Sequence, residues 1–241
     1  ISAAPQATPM QRVECDNSSP MHTMIGKGNA LAYEAEEKAV AKIVELLTPF
    51  ALAPSPGLRL STFQLTGQLS DFHPVRSTVK CIPVKPVAPD LAVVNTYDRE
   101  NLQKRYEQSL ARVMKEERYA ASALSTLKVS LQGSSLLPPG NLVDIWSFFH
   151  LVSREISSVP AREHVVILLA PGEMHYQNYF PGCCNLRNAR VIFLNFDFPT
   201  IQLHQENIQK WSEWLIAEGA SSAAFFRSQD VVPFLIEKTP P

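Results

Sequence analysis

The sequence predicts an α/β fold: a doubly wound, mostly parallel six-stranded sheet with helices on both faces and one antiparallel edge strand. Three observations carry this. Apolar, β-rich segments alternate with amphipathic helical segments along nearly the whole chain. Two of the strand segments, 163–170 (EHVVILLA) and 190–196 (RVIFLNF), are almost continuously apolar, as strands buried on both sides must be. One strand segment, 77–86, contains Pro83, which cannot donate to a ladder and so belongs at an edge.

The elements follow in order. Residues 1–10 are small, polar and proline-rich and read as a linker, with a single domain over 11–241. Residues 11–16 (QRVECD) are predicted as the first strand, running into the polar turn 17–20. A helix over 29–49 is capped by Asn29 and carries Leu31, Ala35, Ala39, Ile43, Leu46 and Leu47 on one stripe. Strands at 58–67 and 77–86 follow. The longest helix spans 98–124, with Leu102, Tyr106, Leu110 and Val113 at helical spacing, and a strand is expected at 127–132 (LKVSLQ). A third helix covers 141–158, and Pro160 stops it. After the two apolar strands comes a helix over 204–218, with Gly219 as the signal beyond its end. A last short strand lies at 222–226, and a brief closing element at 229–236. Trp211 and Trp214 on the fourth helix read as core and rim.

Composition excludes several function classes. The 241 residues carry 22 Lys+Arg against 23 Asp+Glu, so no basic excess argues for a nucleic-acid partner. The longest unbroken apolar run, Val165 to Ala170, is far too short to span a bilayer. The start of the chain lacks the basic and apolar regions of a signal peptide, and the compartment stays open between cytoplasmic and exported. Cysteines at 15, 81, 183 and 184 form no C-x-x-C pair. Four free thiols are the simplest reading, and a Cys15–Cys81 bridge stays open.

In an open α/β sheet a ligand is expected beyond the carboxyl ends of the strands. Asp16, Asn17, Ser18 and Ser19 follow the predicted first strand and offer the hard oxygen donors that Mg²⁺ requires. Asp144 opens a helix, where a carboxylate gains from the dipole. The stretch 172–188 after the central strand is long and holds Tyr176, Tyr179 and Phe180, aromatics that suit a partner-binding surface. An alternative is a nucleotide-binding enzyme that holds phosphate at Gly26–Gly28 and uses His175 as base. No nucleophile elbow, zinc-protease motif or Walker motif accompanies these residues, and no catalytic residue is assigned. The remaining histidines show no metal-ligand spacing.

The order strand, D-N-S-S-P, helix, strand, edge strand, helix, strand, V-D-I helix, apolar strand, strand, helix, strand resembles the von Willebrand factor A domain. Val13-Glu-Cys-Asp16-Asn-Ser18 is similar to that family's first strand and D-x-S-x-S metal motif. Asn141-Leu-Val-Asp144-Ile145 is similar to its T-D-I segment, and Val165–Leu169 to the strand that ends there in Ser-Asp. The stretch 208–226 is similar to bacterial members. Pro20 stands where the third motif serine belongs, Val143 where the threonine belongs, and Ala170-Pro171-Gly172 where the acidic residue belongs. The resemblance therefore implies a non-catalytic protein–protein interaction module, a component of a larger bacterial assembly. Its adhesion site is degenerate at Asp16, Ser18, Ser19 and Asp144. No cofactor is expected beyond weak Mg²⁺ through Asp16 and Ser18, and the partner is a protein, with no nucleic acid and no membrane span.

Overall fold

The computed structural model describes residues 21–27, 33–51, 57–65, 75–93, 95–132, 145–161, 163–169, 182, 184–227 and 229–230. The chain runs β1 (Met21–Lys27), α1 (Tyr33–Ala51), β2 (Leu58–Gln64), β3 (Val75–Val79), a 3-10 turn (Leu91–Val93), α2 (Thr96–Gln132), α3 (Ile145–Ser158), β4 (His164–Leu169), β5 (Ala189–Leu194), α4 (Ile201–Ala217) and β6 (Ser222–Phe226). The six strands form one sheet in the order β3-β2-β1-β4-β5-β6. All neighbours are parallel except β2 and β3, which pair antiparallel from Leu58↔Val79 to Thr62↔Val75. The expected antiparallel edge strand is therefore present. It stops four residues short of Pro83, as the missing N–H requires.

Side chains of one strand alternate between two buried clusters, as the period of two dictates. Ile25, Val165, Ile167 and Leu169 pack with Val40, Ile43 and Leu47 of α1 and with Val113, Leu124, Leu127 and Leu131 of α2. Met24, Val166 and Leu168 pack with Phe148, Phe149 and Val152 of α3 and with Trp211, Trp214 and Leu215 of α4. The second cluster is aromatic. Trp146 stacks on Trp211 with centroids 5.3 Å apart and meets Trp214 edge-on at 4.8 Å, while Phe193 stacks on Phe225 at 4.9 Å. Trp211 and Trp214 are both buried, so Trp214 is core rather than rim. Thr200 caps α4 by accepting from the Leu203 amide at 3.2 Å. Gly219, at φ 94°, takes the left-handed conformation that ends it.

Two expectations are corrected, and the strand expected at 11–16 lies outside the described residues; the strand directly ahead of α1 is Met21–Lys27. All seven β1 side chains are buried, yet His22, Thr23 and Lys27 interrupt the apolar run that normally marks a central strand. Residues 127–132 form the last turns of α2, not a strand. Leu127, Val129 and Leu131 alternate like a strand, but Leu124, Leu127 and Leu131 face the core at helical spacing while Val129 is 66% exposed. Cys81 is disulfide-bonded, to a cysteine outside the described residues, whereas Cys184 is a buried free thiol. Four free thiols were thus one bridge too few. The closing element at 231–236 lies outside the described residues.

Gly26 sits where α3 approaches β1 most closely. A Cβ there would lie 2.8 Å from Phe148 Cε2 and Cζ and 3.1 Å from Leu168 Cδ1. Gly26→Ala is expected to overpack this contact and destabilise the fold by about 1–3 kcal/mol. A lowered urea midpoint at unchanged slope is the expected readout, and an unchanged midpoint would show that Phe148 yields freely.

Candidate functional site

Asp16, Ser18, Ser19, Asp144, Tyr176, Tyr179 and Phe180 all lie outside the described residues, as do His175 and Gly28. The strands nevertheless fix where their segments attach. Asp16, Ser18 and Ser19 precede β1, whose carboxyl end is Lys27. Asp144 immediately precedes α3. Because β4 and β5 are parallel, the chain between Leu169 and Ala189 must return from the carboxyl edge of the sheet to its amino edge. The far end of that crossover is tied down by Glu218, at the end of α4. Its buried carboxylate accepts from the Gly182 amide at 2.6 Å and the Cys184 amide at 2.9 Å. Asn185 N donates to Ser153 Oγ of α3 at 2.8 Å.

Gly26 and Lys27, two of the three residues of the suggested phosphate loop, are the last residues of β1 and part of the sheet ladder. Lys27 is buried at the carboxyl end of β1. Its Nζ donates to the Leu131 carbonyl in the last turn of α2. Carbonyls there lack intrahelical partners and carry the negative end of the helix dipole, so a lysine is well matched to them. On the strand next but one, Asn195 and Asp197 follow β5. His204 on α4 packs its ring against Phe196 and Phe198 with centroids 5.8 and 6.1 Å away. Burial lowers the His204 pKa, and the Arg227 charge lowers it further against the opposing pull of Asp197 and Asp230. Asp230 is held by its own turn: its carboxylate accepts from the Arg227 amide at 2.7 Å, and its carbonyl accepts from Lys42 of α1.

Sequence reasoning missed a second polar group, toward the amino edge between the sheet and α3. His22 of β1 and His164 of β4 are paired across the ladder, with ring centroids 5.5 Å apart. His22 Nε2 lies 3.1 Å from Ser61 Oγ of β2, and Ser61 Oγ donates to Glu155 Oε2 of α3 at 3.5 Å. Arg76 of β3 donates to the other oxygen of Glu155. With the serine proton committed to Glu155, His22 Nε2 is the donor to Ser61. The chain of donors runs His22 to Ser61 to Glu155, with Arg76 arriving from the far side. Ser61 is buried, so its hydroxyl stands away from solvent. The residues were visible only as isolated polar positions, because their meeting depends on strand register.

This cluster titrates. Burial and the nearby His164 push the His22 pKa down to about 4 against the Glu155 charge, with Arg59 and Arg76 contributing in the same downward direction. Burial also lowers His164. Nδ1 of each ring is buried and has no hydrogen-bond partner among the described residues.

No protein-family model matches this chain, and no curated protein sequence matches it. No helix among the described residues is long and apolar enough to cross a membrane.

The sign of the pH effect follows from the depressed folded-state values. Below pH 6.5 the unfolded chain binds protons at these histidines, while the folded protein leaves His22 neutral until about pH 4. Stability from this source is fully present above pH 7 and falls as the pH drops from about 6.5 toward 4. His22→Gln keeps a donor for Ser61 and cannot titrate. The loss of Tm between pH 7 and pH 4.5 is expected to shrink in that variant. An equal loss in both proteins would remove His22 from the acid response.

Proposed function

We propose that the chain is a doubly wound domain of the von Willebrand factor A type that works as a non-catalytic protein–protein interaction module and engages its partner without a complete metal site. Two observations support the fold part of this reading. The strand order β3-β2-β1-β4-β5-β6, with only β3 antiparallel, supports a mostly parallel sheet with one antiparallel edge, although the element order departs from that of the resemblance: D-N-S-S-P precedes β1 and residues 127–132 are helical. The two buried clusters take alternate residues of the same strands, one with α1 and α2 and the other with α3 and α4.

The metal-independent part is supported by the departures from the metal motif: Pro20, Val143 and Ala170-Pro171-Gly172 stand where oxygen donors belong. Asp16 and Ser18 precede the amino end of β1 in the chain, and two oxygen donors fall short of the near-octahedral coordination that Mg²⁺ asks for. Partner contact then rests on the surface, with the segment carrying Tyr176, Tyr179 and Phe180 as its binding part. Membership in a larger assembly is the setting this reading implies.

Calorimetric titration with Mg²⁺ and then Mn²⁺ is expected to give no saturable heat up to millimolar metal. Saturable binding that disappears in Asp16→Ala would overturn the metal-independent reading. The double variant Tyr179→Ala/Phe180→Ala is expected to weaken co-purification of the partner at least tenfold while shifting Tm by less than about 2 °C. Undiminished capture would remove that segment from the interface.

A further inference from the structure

α2 is far longer than its packing needs. Its 37 residues extend about 55 Å, while the strands beneath it have five to seven residues. Its buried side chains are Val113, Ala120, Leu124, Leu127 and Leu131, so no described side chain of its first 17 residues is buried. The proline segment after β3 runs beside it. Pro83, Pro86 and Pro89 are half-buried at a spacing of three while Val84 and Val87 point outward, and Lys85 Nζ bridges Glu117 at 3.1 Å. The proline segment thus reaches α2 at Glu117, while Lys104, Arg105, Arg112, Lys115 and Arg118 are exposed.

Charge on α2 is segregated. At 3.6 residues per turn, Lys104, Arg105, Arg112 and Lys115 fall within one arc of about 100°, with Arg118 at its margin. None of the five acidic residues of α2 falls in that arc, although Glu100 shares the azimuth of Arg118 five turns away. All five cations are exposed, and among the described residues none makes an ion pair, although Glu100 and Glu116 stand four residues from Lys104 and Arg112; Lys115 Nζ lies over the Tyr119 ring, 5.9 Å from its centroid. Arg112, Lys115 and Arg118 succeed one another at i, i+3, a like-charge spacing that disfavours an isolated helix. The acids that do bond are turned elsewhere: Glu107 accepts from Gln103 and Glu117 from Lys85. Beside the cations a concavity of about 520 Å³ is lined, among the described residues, by Ala111, Met114, Lys115, Arg118, Tyr119 and Ser122. Met114 is 44% and Tyr119 62% exposed.

We infer that this face of α2 docks an acidic segment of a partner protein, with an apolar side chain of that segment seated against Met114 and Tyr119. Anionic carboxylates satisfy the unpaired cations and relieve their mutual repulsion. The other anionic surfaces fit less well. A duplex nucleic acid needs a broader basic field than one stripe of about 21 Å on a chain of net charge −1. A membrane-surface helix turns an apolar face outward, whereas the apolar seam of α2 faces the sheet and the proline segment. The surface is separate from the one proposed at the carboxyl edge of the sheet.

The test is fluorescence anisotropy with a labelled twelve-residue glutamate peptide containing two phenylalanines. Saturable binding is expected. It should weaken at least tenfold in Arg112→Glu/Lys115→Glu/Arg118→Glu, weaken clearly in the milder Arg112→Gln/Lys115→Gln/Arg118→Gln, and fall as salt rises from 50 to 300 mM. Circular dichroism should show both variants folded. Binding should persist in Tyr179→Ala/Phe180→Ala, which separates this surface from the other. Absence of saturable binding, or equal binding by the folded glutamine variant, would overturn the inference. Tighter binding to vesicles containing 30% phosphatidylserine, or to a 20-base-pair duplex, would overturn the choice of a protein partner.

Discussion

Everything in this fold hangs on β1 being buried along its whole length. It lies between β2 and β4, and Met21 and Ile25 join one packed cluster while Met24 joins the other. A strand so placed has no solvent to satisfy a polar side chain; two of its three polar residues find a partner within the protein, while the Thr23 hydroxyl has none among the described residues. His22 finds Ser61, and Lys27 finds the end of α2. Gly26 solves a different problem, giving up its side chain so that Phe148 can reach the sheet. The positions of α2 and α3 are thus written into β1: one helix must bring a free carbonyl to Lys27, and the other must bring an aromatic ring to Gly26.

The two polar solutions differ in kind. The Lys27 contact is a charge against a helix end, and it holds whether or not anything is bound nearby. The His22 group is a chain of hydrogen bonds ending on Glu155, whose side chain is 11% exposed, while its guanidinium partner, Arg76, is 63% exposed. Solvent reaches one end of this chain, and water screens part of the Arg76–Glu155 attraction. The histidines at the other end are dry and stay neutral. The cluster therefore ties β1, β2, β3 and α3 together at neutral pH through direction of hydrogen bonding rather than through net charge, and this is why acid acts on it.

Much of the architecture was legible in the sequence. β4 and β5 announced themselves as apolar runs, Pro83 marked the edge, and Gly219 marked the end of α4. These signals are local, arising from burial, a missing N–H and a left-handed backbone. The misplaced elements share a different cause. Leu127–Gln132 fits a period of two or of 3.6 over so short a window, and only the packing of Leu124, Leu127 and Leu131 on the sheet decides between them. β1 was hidden because its polar residues look like a loop until their partners, 39 and 104 residues away in the chain, are known. The same distance hid the His22–Ser61–Glu155–Arg76 group, whose members come from four elements. The candidate site residues themselves, Asp16 through Ser19, Asp144 and the three aromatics, lie outside the described residues, so their geometry rests on the resemblance.

The arrangement separates stability from recognition along the strand direction. Toward the amino edge, titratable groups are buried and interlocked, and Glu218 fixes the incoming chain to the end of α4. At the carboxyl edge of β1, a single lysine is consumed by a helix terminus. The outer face of α2 carries the same sign, exposed instead of buried. The helix that accepts Lys27 at its C-terminal end also displays exposed cations from Lys104 to Arg118. Because the buried charge is shielded from salt while the exposed stripe is not, ionic strength distinguishes contacts made at the sheet edge from contacts made along the helix.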